Sequence, residues 1–238
     1  MKLPIVCMKC SLDKTADPSE YVTAVDLEDD GRYEVNCPKG HTTVILTQAQ
    51  KFEVLFEIGA YAIKDGYYRE AVSSFSSSLE RFYEFFIKII LFEKNIDPNV
   101  IGTSWKEVNS KSEQQLGAFI FLYVSEYNRN PTILTNNERE FRNKVIHKGK
   151  IPSKHEAINY GEVVLKLIRS TIIDIKQKYP DGINNATFRH LSNFGFVKNS
   201  AVMGIATIIG LSVTDENWHN RTLEAAVEQL RHWGKQNS

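Results

Sequence analysis

The segment Glu138–Gly149 gathers the residues best suited to chemistry: Glu-Arg-Glu-Phe-Arg-Asn-Lys-Val-Ile-His-Lys-Gly. Arg142 and His147 are separated by four residues, and Asn143 follows the arginine. A guanidinium pairs bidentately with a phosphate. An imidazole titrates near neutral pH and can move a proton. An amide can orient either group. Together these are parts for cleaving a phosphodiester without a metal, with a ribose 2′-hydroxyl as nucleophile. His147 would be the general base or acid, Arg142 would bind the scissile phosphate, and Asn143 would position it. Residues 139–154 hold six Lys/Arg and one acid. Lys144, Lys148 and Lys150 are therefore candidates to hold an RNA backbone. On a helix Asn143 and His147 lie about 40° apart, but Arg142 lies about 140° from His147. One helix does not easily aim both at one phosphate. Two chains facing each other across a two-fold axis could, so the chemistry calls for a homodimer.

The same residues admit a plainer account. Arg142 can pair with Glu138 one turn earlier. His147 is favoured at a helix C-terminus by the macrodipole, and the lysines can form a solvated face. The chain would then be a non-catalytic interaction or ligand-sensing module.

A second set of residues lies near the N-terminus. All three cysteines fall in the first 37 residues, as Cys7-x-x-Cys10 and Cys37, with His41 following in Cys37-Pro38-Lys39-Gly40-His41. Three soft sulfurs and one imidazole suit tetrahedral structural zinc, and four protein ligands leave no open catalytic position. Reduced cysteines without metal are the alternative. Tyr21–Val25 and Arg32–Val35, between the two pairs, and Thr42–Leu46, just after the second, read as strands, with Asp29-Asp30-Gly31 as a hairpin turn joining the first two. Residues 1–46 are predicted to form a zinc ribbon. With five basic and eight acidic residues, it suits docking to its own helical domain or to a protein partner better than a phosphate backbone.

Helices must position the basic segment. Thr47–Gln50 reads as a capping box, opening a helix that ends at Lys64-Asp65-Gly66. A longer helix is predicted over Tyr68–Lys94, then a loop over Val100–Asn109. Further capping boxes at Ser112–Gln115, Asn137–Glu140 and Ser153–Glu156 open helices to about Tyr127, His147 and Tyr179. Ala60–Ala71 looks like one tetratricopeptide pair, but without a second copy a single hairpin in a bundle is the better account. Residues 47–180 are thus a helical bundle. Residues 181–238 read as a C-terminal helical extension packed on the bundle, with a buried helix at Ala201–Leu211 and an amphipathic one over Glu216–Trp233. The fold class is mainly α with a small N-terminal β ribbon.

Composition excludes other classes. The 29 Lys/Arg balance 29 Asp/Glu, which argues against general coating of nucleic acid. Three cysteines do not make a secreted disulfide scaffold. No apolar run reaches the ~20 residues of a membrane span, and the first residues lack the apolar core of a signal peptide. A cytoplasmic chain is expected. No Gly-rich phosphate loop suggests an ATPase.

The segment Arg142–Gly149 resembles the Arg-x(4–6)-His motif of HEPN domains. The hairpin with Gly66-Tyr67-Tyr68-Arg69-Glu70-Ala71-Val72, and the helix through Glu80-Arg81-Phe82, are similar to the opening helices of that fold. The resemblance covers about residues 47–180. It implies a dimerising bundle, often a metal-independent endoribonuclease, with frequent use in toxin–antitoxin and phage-defence systems. It would make Arg142 and His147 catalytic with Asn143 assisting, and RNA and a protein antitoxin or regulator the partners.

Overall fold

The computed structural model describes residues 1–11, 21–213, 218 and 220–232. The chain is mostly helical with a small β region, and it forms two compact units. One contains residues 1–49, 187–205 and 230–238; the other contains residues 50–186 and 206–229.

In the first unit β1 (Lys2–Val6) pairs antiparallel with β2 (Val22–Asp26). The short helix α1 (Met8–Ser11) follows β1. β3 (Arg32–Asn36) pairs antiparallel with β4 (Thr42–Thr47). The turn at Asp29–Gly31 exists, with Gly31 at φ 74°, but it does not join a hairpin. It connects two sheets, because β2 takes β1 as its partner and β3 takes β4. A turn signal fixes a local reversal, not which strands pair. The first unit's core is Leu3, Ile5, Tyr33, Val35 and Ile45.

A fifth strand completes the second sheet. β5 (Ser200–Met203) lies parallel to β4, with Val44 opposite Ser200 and Leu46 opposite Val202. Ala201, Met203 and Ile205 pack on the core just described. Their spacing of two is strand periodicity, so the expected helix over Ala201–Leu211 is absent. The tail is likewise not one extension on the bundle: it is divided between the two units.

In the second unit α2 (Lys51–Lys64) and α3 (Tyr68–Glu93) form the expected hairpin around Gly66, which has φ 84°. Phe52 meets Phe82 and Phe85, while Phe56 meets Phe75, so the helices run antiparallel. α3 also packs on α4 (Pro98–Val108), α5 (Ser112–Tyr127), α6 (Asn136–His147) and α7 (Lys154–Lys178). α4 replaces the loop expected at Val100–Asn109. Its start is encoded in Asp97-Pro98: the Asp97 carboxylate accepts from Asn99 N–H at 2.7 Å, and proline occupies the first turn.

Three caps differ from the expected frame. The N-cap of α2 is Gln50 rather than Thr47, and Glu53 accepts from the Gln50 N–H. Lys111 caps α5 without a side-chain bond. In α6 the box is Thr135–Glu138, with Glu138 accepting from Thr135 N–H at 2.6 Å. The box at Ser153–Glu156 forms as expected.

The chain continues through α8 (Gly182–Ser192) and later α9 (Leu223–Gln229), which packs on α2 and α7. The outer parts of the expected helix at Glu216–Trp233 lie outside the described residues. Between β5 and α9, the buried loop Thr207–Leu211 is clamped by side chains of the bundle. Glu53 accepts from the Thr207 hydroxyl at 2.6 Å and from Leu211 N–H, while Glu57 accepts from Ile208 N–H. Arg169 donates to the carbonyls of Ile208, Ile209 and Arg221. Among the described residues no helix is long and apolar enough to cross a membrane.

Two predictions follow from the packing. A Cβ on Gly59 would lie 2.6 Å from the buried Phe75 ring, whereas one on Gly117 meets nothing within 4 Å. Overpacking costs ~1–3 kcal/mol, against the ~1 kcal/mol that Ala gains over Gly in a helix. Thermal melts should therefore show Gly59→Ala destabilised and Gly117→Ala modestly stabilised. Burial, and then the nearby Glu53 charge, raise the Glu57 carboxyl to about 7, although the Ile208 N–H works against them. A carboxyl raised in the fold stabilises fully below its unfolded value of 4.5, and that contribution is lost as pH rises through about 7. Glu57→Gln should flatten the decline in stability between pH 5 and 8, by on the order of 1–3 kcal/mol. Denaturant titrations at both pH values read this directly.

Candidate functional site

The four predicted ligands come together in the first unit. Cys7 and Cys10 sit where β1 gives way to α1; Cys37 and His41 flank the turn between β3 and β4. Each turn is closed by main-chain hydrogen bonds: Ser11 N–H to Cys7 C=O at 2.9 Å, Gly40 N–H to Cys37 C=O at 2.8 Å. Gly40 has φ 80°, which an L side chain would strain. The three sulfurs and His41 Nδ1 all lie within 4.8 Å of one another. Cys10 Sγ is 3.8 Å from Cys37 Sγ, and His41 Nδ1 lies 3.8, 3.2 and 3.7 Å from the sulfurs of Cys7, Cys10 and Cys37.

These edges match a tetrahedral cage. Metal–sulfur bonds of ~2.3 Å and metal–nitrogen bonds of ~2.0–2.1 Å set sulfurs about 3.8 Å apart and sulfur–nitrogen pairs about 3.5 Å apart. All three cysteines are buried and unbridged, with Tyr21 packed on them. Burial works to raise the Cys37 thiol, but hydrogen bonds from the main chain of His41 and Lys39 and from the neighbouring sulfurs bring it down to about 6. The four residues can hold one metal ion.

The second cluster lies in the second unit. Arg142, Asn143 and His147 all belong to α6, with His147 its last residue. Beyond it Gly149, at φ 72°, turns the chain so that Lys150 N–H reaches the Lys144 carbonyl at 3.0 Å. Val145 is buried and fixes which side of α6 faces inward, while Asn143 and His147 are exposed. Arg142 is half-buried. Its Nη2 pairs with Glu80 Oε1 of α3 at 2.6 Å, and its Nη1 donates to Asn143 Oδ1 at 3.0 Å. Glu138 is occupied by its own helix cap, so the local pair Arg142–Glu138 does not form.

The lysines divide. Lys144 pairs with Glu140 at 2.8 Å. Lys150 pairs with Glu156 at 2.6 Å and lies over the Phe141 ring. The Lys150 hydrogen bond holds the Glu156 carboxyl near 2. Lys148 is exposed. Such exposed pairs are worth little, up to ~1 kcal/mol, so a polyanion can displace them. Of the other histidines, His155 is near Asn159, and His190 faces the Thr47 carbonyl at 3.1 Å; burial lowers the His190 pKa.

Sequence reasoning missed the pairing of Arg142 with Glu80. Glu80 lies 62 residues before Arg142, and no spacing rule links residues that far apart.

No family model matches the chain, and no curated protein or solved structure matches it.

Metal analysis should find one ion per chain. Cys37→Ser should lose it, and the loss of near-ultraviolet dichroism and protease resistance should centre on residues 1–49, because metal binding to so small a unit is folding free energy. A Cys37→Ser protein that keeps a full equivalent of metal would remove this assignment.

Proposed function

We propose that the chain is a HEPN-type endoribonuclease that acts as a homodimer without a catalytic metal, in a toxin or phage-defence role. The observation that carries this reading is the grouping on α6: a guanidinium anchored from α3 and hydrogen-bonded to Asn143, with an exposed imidazole at the helix end. The side chains lie among Lys144, Lys148 and Lys150, in a stretch of six basic residues and one acid. An arginine can neutralise a developing phosphorane charge, and the histidine of each chain can act as the base that takes the 2′-hydroxyl proton or as the acid that gives a proton to the departing 5′-oxygen. Breaking the phosphorus–oxygen 5′ bond then leaves a 2′,3′-cyclic phosphate and a 5′-hydroxyl. The helical hairpin α2–α3, together with α5, α6 and α7, supports a HEPN-like bundle.

The Arg142–Asn143 hydrogen bond bears on the geometry. Asn143 shares a helix face with His147, about 40° apart, while the Arg142 Cα points about 140° away. The bond draws the guanidinium toward the face of Asn143 and His147. A second chain across a two-fold axis would bring a second set to the same sugar–phosphate link.

For the first unit we propose zinc as the ion, in a structural role. Three thiolates with one imidazole favour zinc over hard cations, and four protein ligands complete its shell.

A second reading has its own observation. Both terminal nitrogens of Arg142 are engaged within the chain, as expected of a residue that only ties α6 to α3. On that reading the chain is a non-catalytic interaction or ligand-sensing module.

Digestion of RNA by the purified protein in magnesium-free buffer separates the two. The wild type should generate cyclic-phosphate ends. His147→Ala and Arg142→Ala should each slow cleavage by ~10²–10⁴ while keeping the fold. Equal cleavage by the wild type and both variants would mean that another residue, or a contaminant, does the cutting.

A further inference from the structure

We propose that the α6 site takes single-stranded RNA, and that Arg69 and Tyr67, at the tip of the α2–α3 hairpin, form the subsite for the nucleotide next to the scissile link. The guanidinium binds that nucleotide's phosphate, and the phenol ring stacks on its base. The inference rests on the reading of α6 as a ribonuclease site and adds a substrate class to it.

The hairpin tip reaches the end of α6. Arg69 Nη2 donates to the Ile146 carbonyl at 3.5 Å, and Ile146 is the residue before His147. A guanidinium is thereby held beside the residue that carries the imidazole, although Arg69 and Ile146 are 77 residues apart in sequence. Little of its capacity is used there. A guanidinium has five N–H donors, and this is the one hydrogen bond Arg69 makes among the described residues. Its other partner is Glu70 at 3.7 Å, with side chains 48% and 57% exposed. A phosphate can displace so exposed a pair. Arg142 differs, because both its terminal nitrogens are engaged within the chain.

Tyr67 supplies an aromatic face. It is 63% exposed, the most exposed of the ten tyrosines. It is the N-cap of α3, so it stands at the helix end rather than along its side. Among the described residues its ring packs on no other ring and its hydroxyl makes no hydrogen bond. An exposed ring two residues from a cation, on a basic surface, has the parts that bind an unpaired nucleotide: the ring takes the base and the cation holds the backbone. Bases inside a duplex are stacked on each other and offer no free face, so the pair selects single strands. The tip is already ordered. Gly66 turns the chain at φ 84°, the Gly66 N–H bonds to the Ile63 carbonyl at 3.1 Å, and the Tyr67 N–H bonds to the Ala62 carbonyl at 2.8 Å. A backbone fixed before RNA arrives lowers the ordering cost of binding.

The test uses the full-length protein carrying His147→Ala, so that RNA is bound and not cut. The probes are one single-stranded RNA oligonucleotide of mixed sequence and the duplex of that sequence. Affinity is read over a range of salt, with melting temperature alongside. Arg69→Ala should reduce the slope of log affinity against log salt by ~0.7, the share of one phosphate on a single strand, and Arg69→Lys should restore it. Tyr67→Ala should weaken single-strand binding by about 5- to 150-fold, the value of one stacked base, without lowering the melting temperature, and Tyr67→Phe should recover the loss. The duplex should bind less tightly and should not respond to Tyr67→Ala. With His147 intact, both alanine variants should raise KM far more than they lower kcat.

Other outcomes overturn the inference. If the wild type cleaves RNA while both alanine variants keep its affinity, salt slope and KM, the subsite does not exist and the ribonuclease reading stands. If Arg69→Ala lowers the melting temperature and kcat together but leaves the salt slope, Arg69 is only a cap on the C-terminus of α6, and the inference fails. A duplex that binds as tightly as the single strand removes the substrate class. Binding that depends on Arg69 and Tyr67, in a wild type that never cuts, upholds the subsite and removes the catalytic reading. A wild type that neither binds nor cleaves RNA brings down both.

Discussion

The second unit is organised by one requirement: α3 must be covered on most of its circumference. Thirteen of its residues are buried, from Ala71 to Ile90, and they point to several sides of the helix. A helix of that kind cannot lie on a surface. α2, α5, α6 and α7 each supply part of the cover. Phe75 shows how closely they approach: Gly59 of α2 and Gly161 of α7 both leave room for its ring, and a Cβ at either would lie 2.6 Å from it. Polar groups on α3 are satisfied within the same packing. Ser78 donates to the Phe52 carbonyl, and Ser76 bonds to the Tyr160 hydroxyl. The position of α6, and with it the basic helix end, follows from this packing.

The first unit meets a different constraint. Its five-residue core is small, and small domains bury too little apolar surface to be stable on that alone. Two additions offset the deficit. One is the Cys7–Cys10–Cys37–His41 cluster, which the proposed zinc would tie together. The other is β5, whose alternate residues Ala201, Met203 and Ile205 extend the core. A strand that arrives from about 150 residues later makes the unit discontinuous in sequence.

The proposed chemistry depends on a contact inside the second unit. The Arg142 guanidinium gets its direction from Glu80, on the central helix, and from Asn143, its own neighbour. Lys144 and Lys150 are held by Glu140 and Glu156 through pairs weak enough to open. On the proposed reading, an Arg142 guanidinium already anchored within the chain would lower the ordering cost of binding an anionic ligand.

Local signals in the sequence determined the long helical hairpin, the capping box at Ser153, and the Cys–His cluster. Short spacings suffice there: two ligands three or four residues apart must share a turn, and Gly66 and Gly40 mark bends that other residues resist. Signals that depend on a partner elsewhere were not legible. The strand at Ser200–Met203 is set by the open edge of β4, and the loop at Thr207–Leu211 by Glu53, Glu57 and Arg169. The pairing of Arg142 with Glu80 rather than Glu138 belongs to the same class. Residues 142 and 138 are neighbours on any helix, but Glu138 is taken by the cap at Thr135, and only the packing of α6 on α3 brings Glu80 within reach. Nearest-neighbour geometry is a property of the chain; which distant group lies opposite is a property of the packed core.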